Sequence, residues 1–135
     1  MENPLHIEQC QLFDAVTCKE DDDLQTAVQL LKKHTLRHLY VVDNSGKLLG
    51  VFAGIDVLYN VIAEGKACTN VHVKDIMKTD VISFPKTDSV LRAIGFMSKT
   101  NIMSCPVVVD EKLVGVLSYG SAVKAIAAQR SGEKK

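Results

Sequence analysis

The sequence predicts an α+β fold in which one β-α-β-β-α unit occurs twice, the copies related by a pseudo-two-fold axis. Three observations carry that reading. Residues 14–43 recur in size and polarity over residues 80–109, at an offset of about 66. Within each copy an apolar stripe at helical spacing gives way to short runs rich in β-branched residues. Turn and cap residues fall at matching places in both copies. The 135 residues suit one such pair. A chain near this length buries roughly 68–70% of its unfolded surface, enough for a core without staples.

Each copy opens with a short extended piece, about Ala15–Cys18 and Val81–Phe84. A polar entry follows, Asp21-Asp22-Asp23 in the first copy and Thr87-Asp88-Ser89 in the second. Side-chain oxygens there satisfy the free N–H groups of a starting helix and complement its dipole. Leu24, Ala27, Val28 and Leu31 then match Val90, Ala93, Ile94 and Met97, at the i, i+3, i+4, i+7 spacing of one helix face. Two strands follow as a hairpin. In the first copy Leu39–Val42 and Leu48–Ala53 flank Asp43-Asn44-Ser45-Gly46; in the second Pro106–Val109 and Leu113–Ser118 flank a tighter Asp110-Glu111 turn. Closing helices are predicted near Asp56–Glu64, stopped by Gly65, and near Ser121–Gln129. Residues 1–11 precede the copies, 65–72 link them, and 130–135 read as a frayed polar tail. The two copies thus span 12–65 and 73–130. Packing them sheet to sheet, helices outside, solves a burial problem neither solves alone and leaves two related clefts at the strand ends.

Composition narrows the function. Lys plus Arg and Asp plus Glu number 16 each, so the chain lacks the basic footprint of a nucleic-acid binder. Aromatics are 5% with no Trp, too sparse for base stacking. No apolar run reaches the roughly 20 residues of a membrane span. Residues 1–6 show no basic segment leading into an apolar one, so a cytoplasmic protein is expected. Cys10, Cys18, Cys68 and Cys105 form no CxxC pair and read as free thiols; zinc is the remote alternative.

At this point the residues resemble a known family. Val73-Lys74-Asp75-Ile76-Met77, Val81-Ile82-Ser83, Pro106-Val107-Val108-Val109-Asp110 and Leu113-Val114-Gly115-Val116-Leu117-Ser118 look like one CBS motif, named for cystathionine β-synthase. Thr17, Leu39-Tyr40-Val41-Val42-Asp43, Gly46-Lys47-Leu48-Leu49-Gly50-Val51-Phe52 and Asp56 look like another. Together they cover residues 12–129, so the chain resembles a stand-alone CBS-domain pair, or Bateman module. The resemblance implies a regulatory small-molecule-binding module and not an enzyme. It implies an adenosyl ligand such as AMP, ADP, ATP or S-adenosylmethionine in a cleft between the motifs, with no cofactor required. It also implies dimerisation through helices.

The family's ligand signature is Gly-apolar-apolar-Thr/Ser-x-x-Asp, whose carboxylate accepts from ribose hydroxyls and whose hydroxyl faces phosphate. Here Gly50-Val51-Phe52-Ala53-Gly54-Ile55-Asp56 keeps the acid and loses the hydroxyl, while Gly115-Val116-Leu117-Ser118-Tyr119-Gly120-Ser121 does the reverse. A hydrogen bond to a charged group contributes about 1.5–3 kcal/mol, so each loss costs about ten- to a hundredfold in affinity. The missing acid is the greater loss, which favours the first copy. Two readings of Asp56 stand: ribose partner, or cap of the helix beginning there. By the same resemblance Arg37 and His38 face phosphates, or are a surface charge and a packed ring. Thr17, Cys18, Ser83 and Phe84 offer backbone and apolar surface to an adenine, or simply pack. Tyr40, Pro106, Ser118 and Ser121 complete the candidate ligand-binding set.

Other constellations are weak. His34 and His38 are four apart, but the helix is predicted to end between them, which removes a metal site. Ser118 lacks the spacing of a nucleophile elbow and any nameable base. No phosphate-cradling glycine loop occurs. Val57, Leu58, Val61 and Ile62 make the first closing helix apolar beyond one face, and Ala122, Ala125, Ala127 and Ala128 make the second smooth. Both features point to a helix-built homodimer, or to burial within one chain. Two functions therefore remain: an adenosyl-ligand sensor read by a partner protein, and a ligand-free dimerisation or adaptor module.

Overall fold

The computed structural model describes residues 4–133. The chain divides into two compact units, Val16–Val81 and a second that joins the residues up to Ala15 with those from Ile82 onward. Each contains the predicted β-α-β-β-α unit.

In the first unit β1 (Thr17–Cys18) leads to α1 (Leu24–His34), the hairpin strands β2 (His38–Val42) and β3 (Leu48–Ala53), and α2 (Gly54–Val57). Asp23 caps α1 by accepting the Thr26 N–H at 2.7 Å, and Thr35 ends it in the left-handed conformation. The sheet order is β1-β2-β3, parallel then antiparallel. Asp43 organises the hairpin turn, its carboxylate accepting from the Ser45 and Lys47 N–H groups, while Gly46 takes a positive φ of 90°. Leu24, Ala27 and Leu31 pack with Leu39, Val41 and Phe52, as their spacing predicts.

The second unit repeats this order with β4 (Phe84–Pro85), α3 (Val90–Thr100), β5 (Ser104–Val109), β6 (Lys112–Ser118) and α4 (Tyr119–Glu133). Ser89 caps α3. Asp110 and Glu111 both have positive φ, the signature of a two-residue type I′ turn. Pro106 is tolerated inside central β5 because β4 pairs only with Val107 and Val108.

Three expectations are corrected. The opening strands are two residues long, because only those residues reach the neighbouring ladder. The first closing helix starts at Gly54 instead of Asp56 and widens into a π-turn over Leu58–Ile62, which keeps Val57 and Val61 buried. The second starts at Tyr119 and runs to Glu133. A glycine inside a helix costs only about 1 kcal/mol relative to alanine, so Gly132 does not stop it. Lys134 and Lys135 of the predicted tail lie outside the described residues, as do Met1, Glu2 and Asn3.

The segments that precede each copy also join these units. Residues 71–78, the end of the predicted link and the start of the second predicted copy, pack into the first unit through Val71, Val73, Ile76 and Met77. Ile7 and Leu12 pack into the second unit's core. Each segment adds one antiparallel bridge to a β3-type strand, Lys78 to Val51 and Phe13 to Val116. Among the described residues no helix is long and apolar enough to cross a membrane.

Candidate functional site

Strand alternation divides β2 into two faces. Leu39 and Val41 point into the core, which puts His38 and Tyr40 on the other face. Across the ladder Thr17 pairs with Tyr40, Tyr40 with Val51 and His38 with Ala53, so these five side chains share that face. His38 Nε2 lies 3.3 Å from the Tyr40 hydroxyl, and the rings meet edge to face at 5.4 Å. Burial holds the His38 imidazole below its ordinary pKa.

Where β3 turns into α2, the Gly54 N–H donates to the Arg37 carbonyl at 3.0 Å. That bond ties the exposed Arg37 to the helix start. Asp56 occupies the third helical position and is 7% exposed. Its Oδ2 accepts the Ala53 N–H at 2.9 Å, which satisfies a backbone donor left free at the start of the helix. Its Oδ1 lies 3.5 Å from Lys78 Nζ. Lys78 is brought there by reciprocal backbone bonds with Val51, of 3.0 and 2.8 Å.

Thr17, His38 and Tyr40 thus share one face of this sheet, and Arg37 and Asp56 lie at its end, where β3 turns into α2. Cys18 belongs to the same strand, but its side chain is in the core, where desolvation pushes its thiol up to about 12. Any role for it near a ligand is limited to its backbone.

Ser83, Phe84, Pro106, Ser118 and Ser121 belong to the second unit. Phe84 is 1% exposed, stacked edge to face on Phe96 and under the Arg92 guanidinium, so packing accounts for it. Pro106 is buried on β5. Ser118 Oγ accepts the Ser121 N–H at 3.0 Å and lies 3.1 Å from Ser121 Oγ. Matching contacts align the two units position by position. Tyr119 N–H donates to the Met103 carbonyl as Gly54 does to Arg37, and Ser104 pairs with Ser118 as His38 does with Ala53. Where the first unit has Arg37, His38, Asp56 and Lys78, the second has Met103, Ser104, Ser121 and Phe13.

Sequence reasoning missed Lys78. It is 22 residues from Asp56 and was counted with the other copy, and no local pattern marks it. Among the described residues no group of three or more His, Cys, Asp or Glu side chains could hold a metal. A cavity of about 440 Å³ lined by Asn60, Glu64, Lys66, Asn70 and Asp75, among others, opens elsewhere in the first unit; no predicted site residue lines it.

The family model for the CBS domain matches residues 12–62 and 73–128. The CBS domain-containing protein CBSX3, mitochondrial, of Arabidopsis thaliana is 30% identical over 113 residues, 81% of this chain and 55% of that one. The chain spans between about a fifth and about half of this and the next curated relatives. A putative acetoin utilization protein of Vibrio cholerae superposes with a TM-score of 0.79 at 24% identity, covering 98% of both chains. The CBS-domain pair of protein MJ0100, in complex with 5-methylthioadenosine and S-adenosyl-L-methionine, superposes with a TM-score of 0.74 at 25% identity, covering 94% of this chain and 99% of that one. The chain belongs to the CBS-domain family and carries two such domains as a pair.

Proposed function

We propose that the chain senses an adenosyl ligand, an adenine nucleotide or S-adenosylmethionine, and passes ligand occupancy to a partner protein. The observation that carries this is the Asp56 carboxylate, anchored through one oxygen to the Ala53 N–H with the other oxygen 3.5 Å from the exposed Lys78 ammonium. A carboxylate fixed in this way is preorganised to accept from two ribose hydroxyls. The family's ligand signature and the adenosyl compounds bound by the MJ0100 pair support the reading. A thermal-shift panel of AMP, ATP, S-adenosylmethionine and NADH tests it. Ligand at a hundred times Kd adds about 2.7 kcal/mol of stability. Asp56→Ala abolishes the shift and Ser121→Ala leaves it. If no compound shifts melting at millimolar concentration, the sensor reading fails.

A second reading has its own observation. Ile55, Leu58, Tyr59 and Ile62 are 46–63% exposed along α2 and its π-turn, an apolar face suited to a homodimer contact. A module that only dimerises or recruits a partner needs that face and no ligand. Light scattering that finds a monomer at micromolar concentration rejects the homodimer.

A further inference from the structure

We propose that Lys78 sets the ligand class of the Asp56 site, selecting adenosine phosphates over uncharged or sulfonium adenosyl compounds. The proposal rests on the reading of Asp56 as the ribose partner. Lys78 Nζ is 3.5 Å from Asp56 Oδ1, a loose ion pair between a side chain 64% exposed and one 10% exposed. The lysine backbone is clamped to Val51 by two hydrogen bonds, so its Cα is fixed while its four-carbon stem swings. Ribose hydroxyls donating to Oδ1 take over the acceptor that Lys78 now faces. The released ammonium then remains within reach of whatever extends from the ribose.

A phosphate there replaces the contact that the lysine gives up; a sulfonium meets a like charge. The second unit provides the control. At the position of Lys78 it has Phe13, which bridges Val116 as Lys78 bridges Val51, and at that of Asp56 it has Ser121. Acid and cation are present together in one unit and absent together in the other, as expected if they serve one ligand.

Calorimetric titration of the full chain with ADP, adenosine and S-adenosylmethionine tests this in the wild type, Lys78→Gln, Lys78→Arg and Asp56→Asn. The wild type should bind ADP about tenfold or more tightly than adenosine, with S-adenosylmethionine weakest. Lys78→Gln should cut the ADP-to-adenosine ratio several-fold, and Lys78→Arg should keep most of it. An unchanged ratio in Lys78→Gln, or a wild-type ratio near one, overturns the proposal while a loss of all binding in Asp56→Asn still upholds Asp56. If no compound binds, or Asp56→Asn binds like the wild type, the Asp56 reading fails and the role of Lys78 falls with it.

Discussion

The carbonyl oxygen of Lys78 passes 2.7 Å from the place a Cβ on Gly50 would occupy. The glycine is therefore a steric requirement of the incoming segment. Its counterpart Gly115 faces Leu12 and Phe13 at 3.2–3.3 Å, a tight approach that a small shift relieves. Gly50→Ala should cost about 2–3 kcal/mol and Gly115→Ala about 1 kcal/mol. Chemical denaturation of the two variants checks the order; equal costs would show that the Lys78 segment yields freely.

Asp56 also holds the fold. Truncation to alanine leaves the Ala53 N–H without its acceptor and empties a site only 7% exposed. The expected loss is about 1–3 kcal/mol, with little added by the exposed Lys78. Urea melts of Asp56→Ala and Asp56→Asn measure it. A neutral Asp56→Ala would mean that another group or water takes the N–H.

His38 makes stability fall in mild acid. Burial lowers its pKa below the ordinary 6.5, so the unfolded chain binds the proton more tightly than the folded one. Its contribution is complete above that ordinary value and is lost as the pH falls through the lower folded value. The lowered carboxyls of Asp21, Asp23 and Asp43 act in a separate, more acid window. Melting temperature should therefore drop between about pH 7 and pH 5, and His38→Gln should flatten that limb. A slope unchanged by the substitution would assign it elsewhere.

The four thiols should fall into two classes. Cys18 and Cys105 are buried, with pKa values pushed up to about 12 by desolvation, while Cys10 and Cys68 are half-buried. An aromatic disulfide reagent near pH 8 should titrate at most two thiols quickly in the native protein and four in denaturant. Four thiols reacting at one rate in the native state would contradict this packing.

The helices and strands were legible because their signals are local. The stripe from Leu24 to Leu31 and its echo from Val90 to Met97 each bury one face, and Asp23 and Ser89 cap as their chemistry dictates. The candidate site was legible only in part. Asp56 and Arg37 stood out in a short run, but the choice between core and opposite face for Cys18 and Phe84 depends on strand register. A shift of one residue reverses that choice.

Local spacing alone determined the duplicated unit, its order of elements and the asymmetry between Asp56 and Ser121. Tertiary structure decided which copy receives residues 71–78 and which receives the residues up to Ala15, and with that the pairing of Lys78 with Asp56. The reason is physical: periodicity records which face of a segment must be buried, not against which distant partner. Backbone bridges such as Lys78 to Val51 are made by groups that every residue carries, so no side-chain pattern announces them.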